Sequence, residues 1–383
     1  MRQKNLLHLL LWIVLSLSPC SHACRYTVRE IGFSQAQAIP YRLVLPMPDT
    51  FSADLLAEAK KISQTALADA NITAEIVRQG VLDSLLLFPD NPAVEKDKAL
   101  LISPLGQWLS HPFSIDSTSW KSKLWELLDW ACLSPLRKEI NDHLGRAYCV
   151  VLLLQSDEEG ENARSKARAM GSIEEIIKIM PNLPKPISQP PVLLEVNRQR
   201  QKQERLLLWS LGADTVATYP RAAVIYGRVR RLGPILQQET FTEANLVNLL
   251  ALIGADCECG LDRSWILGVM LPSRWGDRMQ QAIANELGFD VENPSVRMEM
   301  EQILTLDAPT PAADASHADF LAGYREGLTE LLSAPVSQES NDRLEKKNSS
   351  FILVFIVSFI SLSLLLLAAA LLINWKMKKK NRL

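Results

Sequence analysis

The uncharged run Phe351–Ile373, rich in Leu, Ile and Val, most constrains this chain. A helix rising 1.5 Å per residue needs roughly 20 such residues to cross a bilayer core. Trp375 follows at interface depth, and Lys376, Lys378, Lys379, Lys380 and Arg382 close the chain. Arg343, Lys346 and Lys347 lie on the other flank. The tail carries more positive charge and carries it closer. The expectation is one transmembrane helix, 351–373, with a basic cytoplasmic tail, 374–383.

The opposite end has the three-part form of an export signal. Arg2 and Lys4 precede the apolar stretch Leu6–Leu17, and Ser21-His22-Ala23 offers small residues at −3 and −1. This predicts a signal peptide over 1–23 and a mature start at Cys24. Lipidation of Cys24 competes, although Ser21 stands where a lipobox has Leu; retention of the segment as an anchor is a third route. Both ends require the intervening chain to be extracytoplasmic. The first partner this implies is membrane lipid around the C-terminal helix.

The net charge of −2 gives no nucleic-acid footprint. Asp307-Ala-Pro-Thr-Pro-Ala-Ala-Asp-Ala opens a linker or stalk, 307–350, with one amphipathic piece at about 318–332. What precedes it is long enough for two domains.

That region reads as a duplication. In the first half Tyr41–Leu45 is an apolar strand, and Ser52 caps a helix running to about Ala70. Ala74–Val77 is a strand. Ala99–Ile102 and Trp108–Phe113 form a hairpin, and Thr118–Cys132 is a closing helix. The second half repeats the order. Tyr148–Leu154 lacks polar alternation, as a strand buried on both faces would. Asn162–Met180 is helical and Val192–Val196 a strand. Ala222–Leu236 is a hairpin around Gly227 and Arg228, and Thr242–Ile253 closes. A further strand, Trp265–Leu271, and a helix, Arg274–Leu287, follow.

The order β-α-β, then hairpin, then α resembles the thioredoxin fold over about 41–254. The fold class expected is therefore α/β: two tandem thioredoxin-like domains, 24–145 and 146–306, the second with an extra β-α unit, ahead of a single transmembrane helix. Pro220 lies near the place of the thioredoxin cis-proline, with Pro92 a looser equivalent. Cys24-Arg-Tyr-Thr-Val-Arg29 and Cys257-Glu-Cys-Gly-Leu-Asp-Arg-Ser-Trp265 resemble segments of uncharacterised bacterial single-pass membrane proteins. That resemblance implies the bacterial inner (plasma) membrane and no activity.

A thioredoxin-type oxidoreductase carries Cys-x-x-Cys where the first strand meets the first helix, since a helix N-terminus lowers a thiol pKa. Here those places read Leu45-Pro-Met-Pro-Asp-Thr-Phe51 and Leu154-Gln-Ser-Asp-Glu-Glu-Gly160, without cysteine. Five cysteines remain after cleavage: Cys24, Cys132, Cys149, Cys257 and Cys259. They are open to structural disulfides, to thiol exchange at Cys257-Glu-Cys259, or to soft metal ligation there. The odd number leaves one over. Cys132 and Cys257 hold matching places in the two halves, so Cys259 is the added feature, and Cys24 is the best distant partner for this pair.

Arg221, Arg228, Arg230 and Arg231 make the second hairpin basic, either solvated or facing an acidic partner or phosphate. Arg198–Arg205 reads as an exposed loop or helix start. Trp120, Trp125 and Trp130 suit core packing plus one exposed ring, and Glu174 and Glu175 a helix surface. No Ser/His/Asp set, phosphate loop or zinc motif is present, so no catalytic residue, cofactor or metal is assigned. The leading function is a membrane-tethered, non-catalytic binding or assembly module with a protein partner. Alternatives are a thiol–disulfide exchange protein using Cys257/Cys259 and an accessory subunit of an inner-membrane transport complex. Protease added to the outer face of the inner membrane should digest everything before about residue 350 and spare the Lys-rich tail. Protection of 41–254 in sealed right-side-out vesicles would refute the topology.

Overall fold

The computed structural model describes residues 25–35, 38–80, 97–183, 185–213, 217–255 and 266–305. The segments called signal, linker and membrane helix lie outside them. No helix among the described residues is long and apolar enough to cross a membrane.

Two four-stranded mixed sheets organise the chain. The first comprises β1 (Tyr41–Met47), β2 (Ile72–Arg78), β3 (Lys98–Ile102) and β4 (Trp108–Pro112) in the order β2-β1-β3-β4. β1 and β2 are parallel, joined through helix α2 (Ala53–Ala66), and β3–β4 is an antiparallel hairpin. Ser52 caps α2 by accepting from the Leu55 amide. Helix α3 (Trp120–Cys132) closes the unit. Tyr41, Leu43, Leu45 and Met47 point to one face, where they join Ala59 of α2 and Leu124, Leu127 and Leu128 of α3 in one core. Val44, Leu100 and Ile102 lie on the opposite face in a separate cluster. Period-two alternation thus sorts β1 into two cores.

The second sheet repeats this plan with β5 (Val150–Leu154), β6 (Val192–Val196), β7 (Arg221–Tyr226) and β8 (Arg230–Gln237) in the order β6-β5-β7-β8. β5 and β6 are parallel, joined through the long helix α5 (Glu159–Ile179), and β7–β8 is antiparallel. Every residue of β5 is buried, as its unbroken apolar run predicts. Helix α8 (Glu243–Gly254), capped by Thr242, packs beside α5.

Several elements escaped the sequence reading. Helix α1 (Val28–Gly32) begins with a Thr27/Glu30 capping box and is wholly buried. Although it precedes β1, its Val28 and Ile31 join the core of the second sheet, with Tyr26 and Phe33. Helix α4 (Pro135–Leu144) links the halves, with Ser134 as N-cap and Pro135 in the first turn. Helices α6 (Arg198–Gln203) and α7 (Arg205–Leu211) form the crossover from β6 to β7. The helix expected over Arg274–Leu287 is present as α9 (Asp277–Leu287), and helix α10 (Pro294–Thr305), which was not expected, follows it. The strand expected over Trp265–Leu271 is absent from its described part: Ile266 is helical, and Met270 makes one isolated antiparallel bridge to Arg230. An apolar run here fills space without entering a ladder.

The hairpin arginines are not solvated. Arg221, Arg228 and Arg230 are buried, and each bonds a neighbouring segment. Arg221 donates to the Ala213 carbonyl at 3.0 Å, Arg230 to Ser34 at 3.1 Å, and Arg228 to the Glu292 carboxylate at 2.6 Å. Arg228 also lies 5.0 Å over the Trp275 ring. Arg231 bonds the Leu211 carbonyl at the end of α7.

The tightest point is where α1 meets the β7–β8 turn. The Arg228 amide donates to the Gly32 carbonyl at 2.8 Å. Gly227 has φ +53°, and a Cβ on it would stand 2.3 Å from the Gly32 carbonyl carbon. Gly106 also has positive φ, +80°, but open space around it. Gly106→Ala should therefore cost only the left-handed penalty, roughly 1–2 kcal/mol. Gly227→Ala should cost roughly 1–3 kcal/mol more from overpacking. Denaturant titration of both variants checks this; equal losses would mean that the α1 contact is not tight.

Candidate functional site

Open α/β sheets place ligands beyond the carboxyl ends of their strands. Those ends, after β1 and β5, are where a thioredoxin-like unit would hold its reactive pair. In both repeats an arginine from the adjoining strand side closes the place. After β1, Arg78 donates to the carbonyls of Asp49 (2.9 Å) and Phe51 (3.2 Å), and the Gly80 amide donates to the Asp49 carboxylate at 3.1 Å. The Phe51 ring meets Trp120 edge-on at 6.0 Å.

After β5, the Ser156 amide donates to Asn162 Oδ1 at 2.8 Å, and Asn162 Nδ2 returns a bond to the Ser156 carbonyl at 2.9 Å. Arg198 grips both carboxylate oxygens of Asp157, at 3.1 and 3.2 Å, and bonds the Ala217 carbonyl. Buried Gln201 donates to the carbonyls of Gln155 (2.7 Å) and Val196 (2.8 Å). Asp157, Glu158, Glu159 and Glu161 crowd the start of α5. Their charge complements the helix dipole and disfavours a thiolate or phosphate there. Arg198 is thus a clamp at the start of α6, where the sequence allowed a helix start, and the Tyr219–Pro220 bond is trans.

Of the five cysteines singled out, Cys132 and Cys149 are free and buried, at 1% and 0% exposure. Burial raises both thiol pKa values, most strongly at Cys149, despite nearby Arg29. Neither has the thiolate character of a nucleophile. Cys24, Cys257 and Cys259 lie outside the described residues. Their flanks meet: the Val28 amide donates to the Ala255 carbonyl at 2.9 Å. Cys24 is four residues from Val28, a reach of at most about 14 Å, and Cys257 two from Ala255, about 7 Å. Among the described residues no three His, Cys, Asp or Glu side chains converge as metal ligands. The tryptophans divide as expected: Trp120 is buried, Trp125 exposed, and Trp130 stacks on His111 at 4.0 Å.

Sequence reasoning passed over the polar junction between the halves. Buried Glu204, ahead of α7, accepts the Leu136 amide at 2.9 Å and so caps α4. Arg137 donates to four carbonyls: Ala131 (2.6 Å), Trp130 (2.7 Å), Leu133 (2.6 Å) and Pro272 (3.0 Å). Burial pulls its pKa down to about 10. The Ser134-Pro135 start signal was the available clue to α4; nothing local announces a buried Glu204.

No protein-family model matches this chain, and no curated protein matches it. Among solved structures, it is similar to the bb fragment of ERp72 at 12% identity, covering 59% of this chain and 93% of that one, with a TM-score of 0.20. It is also similar to ERdj5 form II at 12% identity, covering 57% of this chain and 27% of that one, with a TM-score of 0.19. The described residues themselves form a mixed α/β architecture with two four-stranded sheets.

Alkylation of the folded protein at neutral pH should leave Cys132 and Cys149 unmodified, both reacting only in denaturant. An unreduced digest should join the Cys24 peptide to the Cys257–Cys259 peptide. Rapid labelling of Cys149 in the folded state would contradict its burial. Free, fast-reacting Cys257 and Cys259 would remove the staple.

Proposed function

We propose that this chain is a membrane-anchored extracytoplasmic protein of two tandem thioredoxin-like units, acting as a non-catalytic binding or assembly module. The fold part rests on topology: each sheet has the order 2-1-3-4, built from a β-α-β unit and a β-β-α unit. The anchoring part rests on Phe351–Ile373, the basic tail and the export signal. The functional part rests on one observation. At both strand ends where such a unit would do thiol chemistry, cysteine is missing and an arginine clamp fills the place. A strand end that lacks cysteine and is spanned by arginine hydrogen bonds offers surface rather than a thiol centre.

Thiol–disulfide exchange through Cys257 and Cys259 is the competing reading, because Val28 and Ala255 bring the flanks of Cys24 and Cys257 together. The two readings differ in turnover. The full-length protein in detergent should not accelerate the reduction of insulin disulfides by dithiothreitol. Acceleration that is lost in Cys259→Ser would overturn the binding-module reading. Crosslinking in intact membranes should then recover a protein partner that is lost when the 41–254 region is deleted.

A further inference from the structure

The outer strands of the two sheets are β2, β4, β6 and β8. Three carry protection against pairing with a foreign strand, in the form of charge or cover. β2 holds Glu75, paired with Arg42 at 2.8 Å, and β6 holds Glu195, paired with Lys166 at 2.6 Å. β8 is covered: the Arg231 amide donates to the Val269 carbonyl at 3.0 Å, and the Leu271 amide donates to the Val229 carbonyl at 2.9 Å. Arg230 and Met270 form the antiparallel bridge between these bonds. The fourth strand, β4, reads Trp-Leu-Ser-His-Pro and has no acidic residue, lysine or arginine. Among the described residues no strand pairs with its outer side. Pro112, at its far end, is its one blunting device.

The backbone of β4 has a defined outward side. The Ser103 amide donates to the Gln107 carbonyl, and the Phe113 amide to the Asp97 carbonyl, both at 2.7 Å. The odd-numbered residues between them therefore turn towards β3, and the amides of Trp108 and Ser110 face away. Aromatic rings flank this edge on both faces of the sheet. Trp108, 44% exposed, lies opposite Ile102 on one face. His111, on the other face, carries the stacked ring of Trp130.

We infer that β4 is a docking edge for an extended apolar segment of a partner protein, which pairs with it antiparallel as an added strand. The chain's own duplication selects this occupant. Arg231 stands opposite Ile225 as Trp108 stands opposite Ile102. At Arg231 the second repeat already receives such a segment, Val269-Met270-Leu271, from its own C-terminal extension. That segment is apolar at successive positions, so it presents apolar side chains to both faces of the sheet. An edge with Trp108 on one face and Trp130 on the other suits the same kind of sequence. Main-chain bonds supply the affinity, and the two rings select uncharged side chains. Pro112 has no amide hydrogen and limits the pairing to Trp108–His111, so the contact is short and belongs with weak, transient interfaces. The inference rests on the binding-module reading and gives it a surface.

A fluorescent peptide carrying residues 267–272 of this chain between lysines is the probe, added to the full-length protein in detergent and followed by anisotropy. The in-chain copy stays on β8, where its tether keeps its effective concentration high. The peptide should bind the wild type. Ser110→Ala keeps the outward amide and should bind equally. Ser110→Pro removes that amide without touching a bond to β3 and should weaken binding about tenfold, with an unchanged circular dichroism spectrum. Trp108→Lys should weaken it as well, by charging the edge. Methylating the peptide's Leu271 amide should abolish binding and methylating its Met270 amide should not, since only alternate amides face the receiving strand. Absence of wild-type binding would overturn the proposal, as would equal binding by Ser110→Ala and Ser110→Pro or equal effects of the two methylations. A wild-type dimer that Ser110→Pro dissolves in sedimentation would also overturn it, by giving the edge to a second copy. The binding-module reading falls on insulin turnover instead, so the two failures are separate.

Discussion

Helix α7 has two partners and buries every residue from Leu206 to Leu211, and the arrangement of the two sheets depends on it. Leu206 and Trp209 enter the core of the first sheet, where Trp209 meets Tyr41 at 6.2 Å. Leu207, Leu208 and Leu211 enter the core of the second. Each such side chain contributes roughly 1.5–3 kcal/mol of burial. A seven-residue helix is too short to persist on propensity alone, so it exists because both cores hold it. All the described residues fall in one compact unit. Glu204 reinforces the joint by capping α4, and Arg231 closes the far end of α7 through the Leu211 carbonyl.

Arginine does the polar work at these joints for a reason of geometry. Segments that meet without entering a ladder leave carbonyls pointing inward, and each must find a donor. A guanidinium carries five donors on a flat fork and loses less on leaving water than an ammonium does. Arg137 meets four carbonyls from two separate stretches of chain, and no other side chain type could span them. Desolvation is the opposing term, visible as the lowered pKa values of Arg137 and Arg228, both about 10. Both stay charged at neutral pH, because the carbonyls and Glu292 offset that cost.

Where periodicity carried the signal, the sequence was readable. Both β-α-β units, both hairpins and their closing helices follow from apolar spacing and from the Ser52 cap, which the structure places as expected. Legibility failed where burial is decided by distant chain. The hairpin arginines read as a solvated basic patch because charge is normally exposed. Their partners, Ser34, Ala213 and Glu292, are remote in sequence and leave no local trace. Residues 25–34 failed for the same reason, since a five-residue helix has no period to detect. The absence of cysteine after β1 and β5 was plain in the sequence. That arginines fill those strand ends was not, because Arg78 and Arg198 are ordinary surface residues until the β-α-β fold is closed.

The chain order of these contacts sets a constraint on how the protein is made. The first described residues, 25–34, pack against some of the last. Arg25 pairs with Glu299, Tyr26 bonds the same carboxylate, Phe33 meets Trp275 at 6.1 Å, and Gly32 lies under the β7–β8 turn. The first sheet can close from local contacts once α3 has formed. The second cannot complete its core until residues beyond 290 are present, because Val291, Met300 and Leu304 belong to it. Contacts of such long sequence separation close late and expose apolar surface meanwhile. Tyr26, Val28, Ile31 and Phe33 are the surface at risk, and Arg25, Arg29 and Glu30 are interleaved with them. Once docked, these charges find Glu299, the Ala147 carbonyl and Lys185, so the polar residues of the segment fasten what its apolar residues bury.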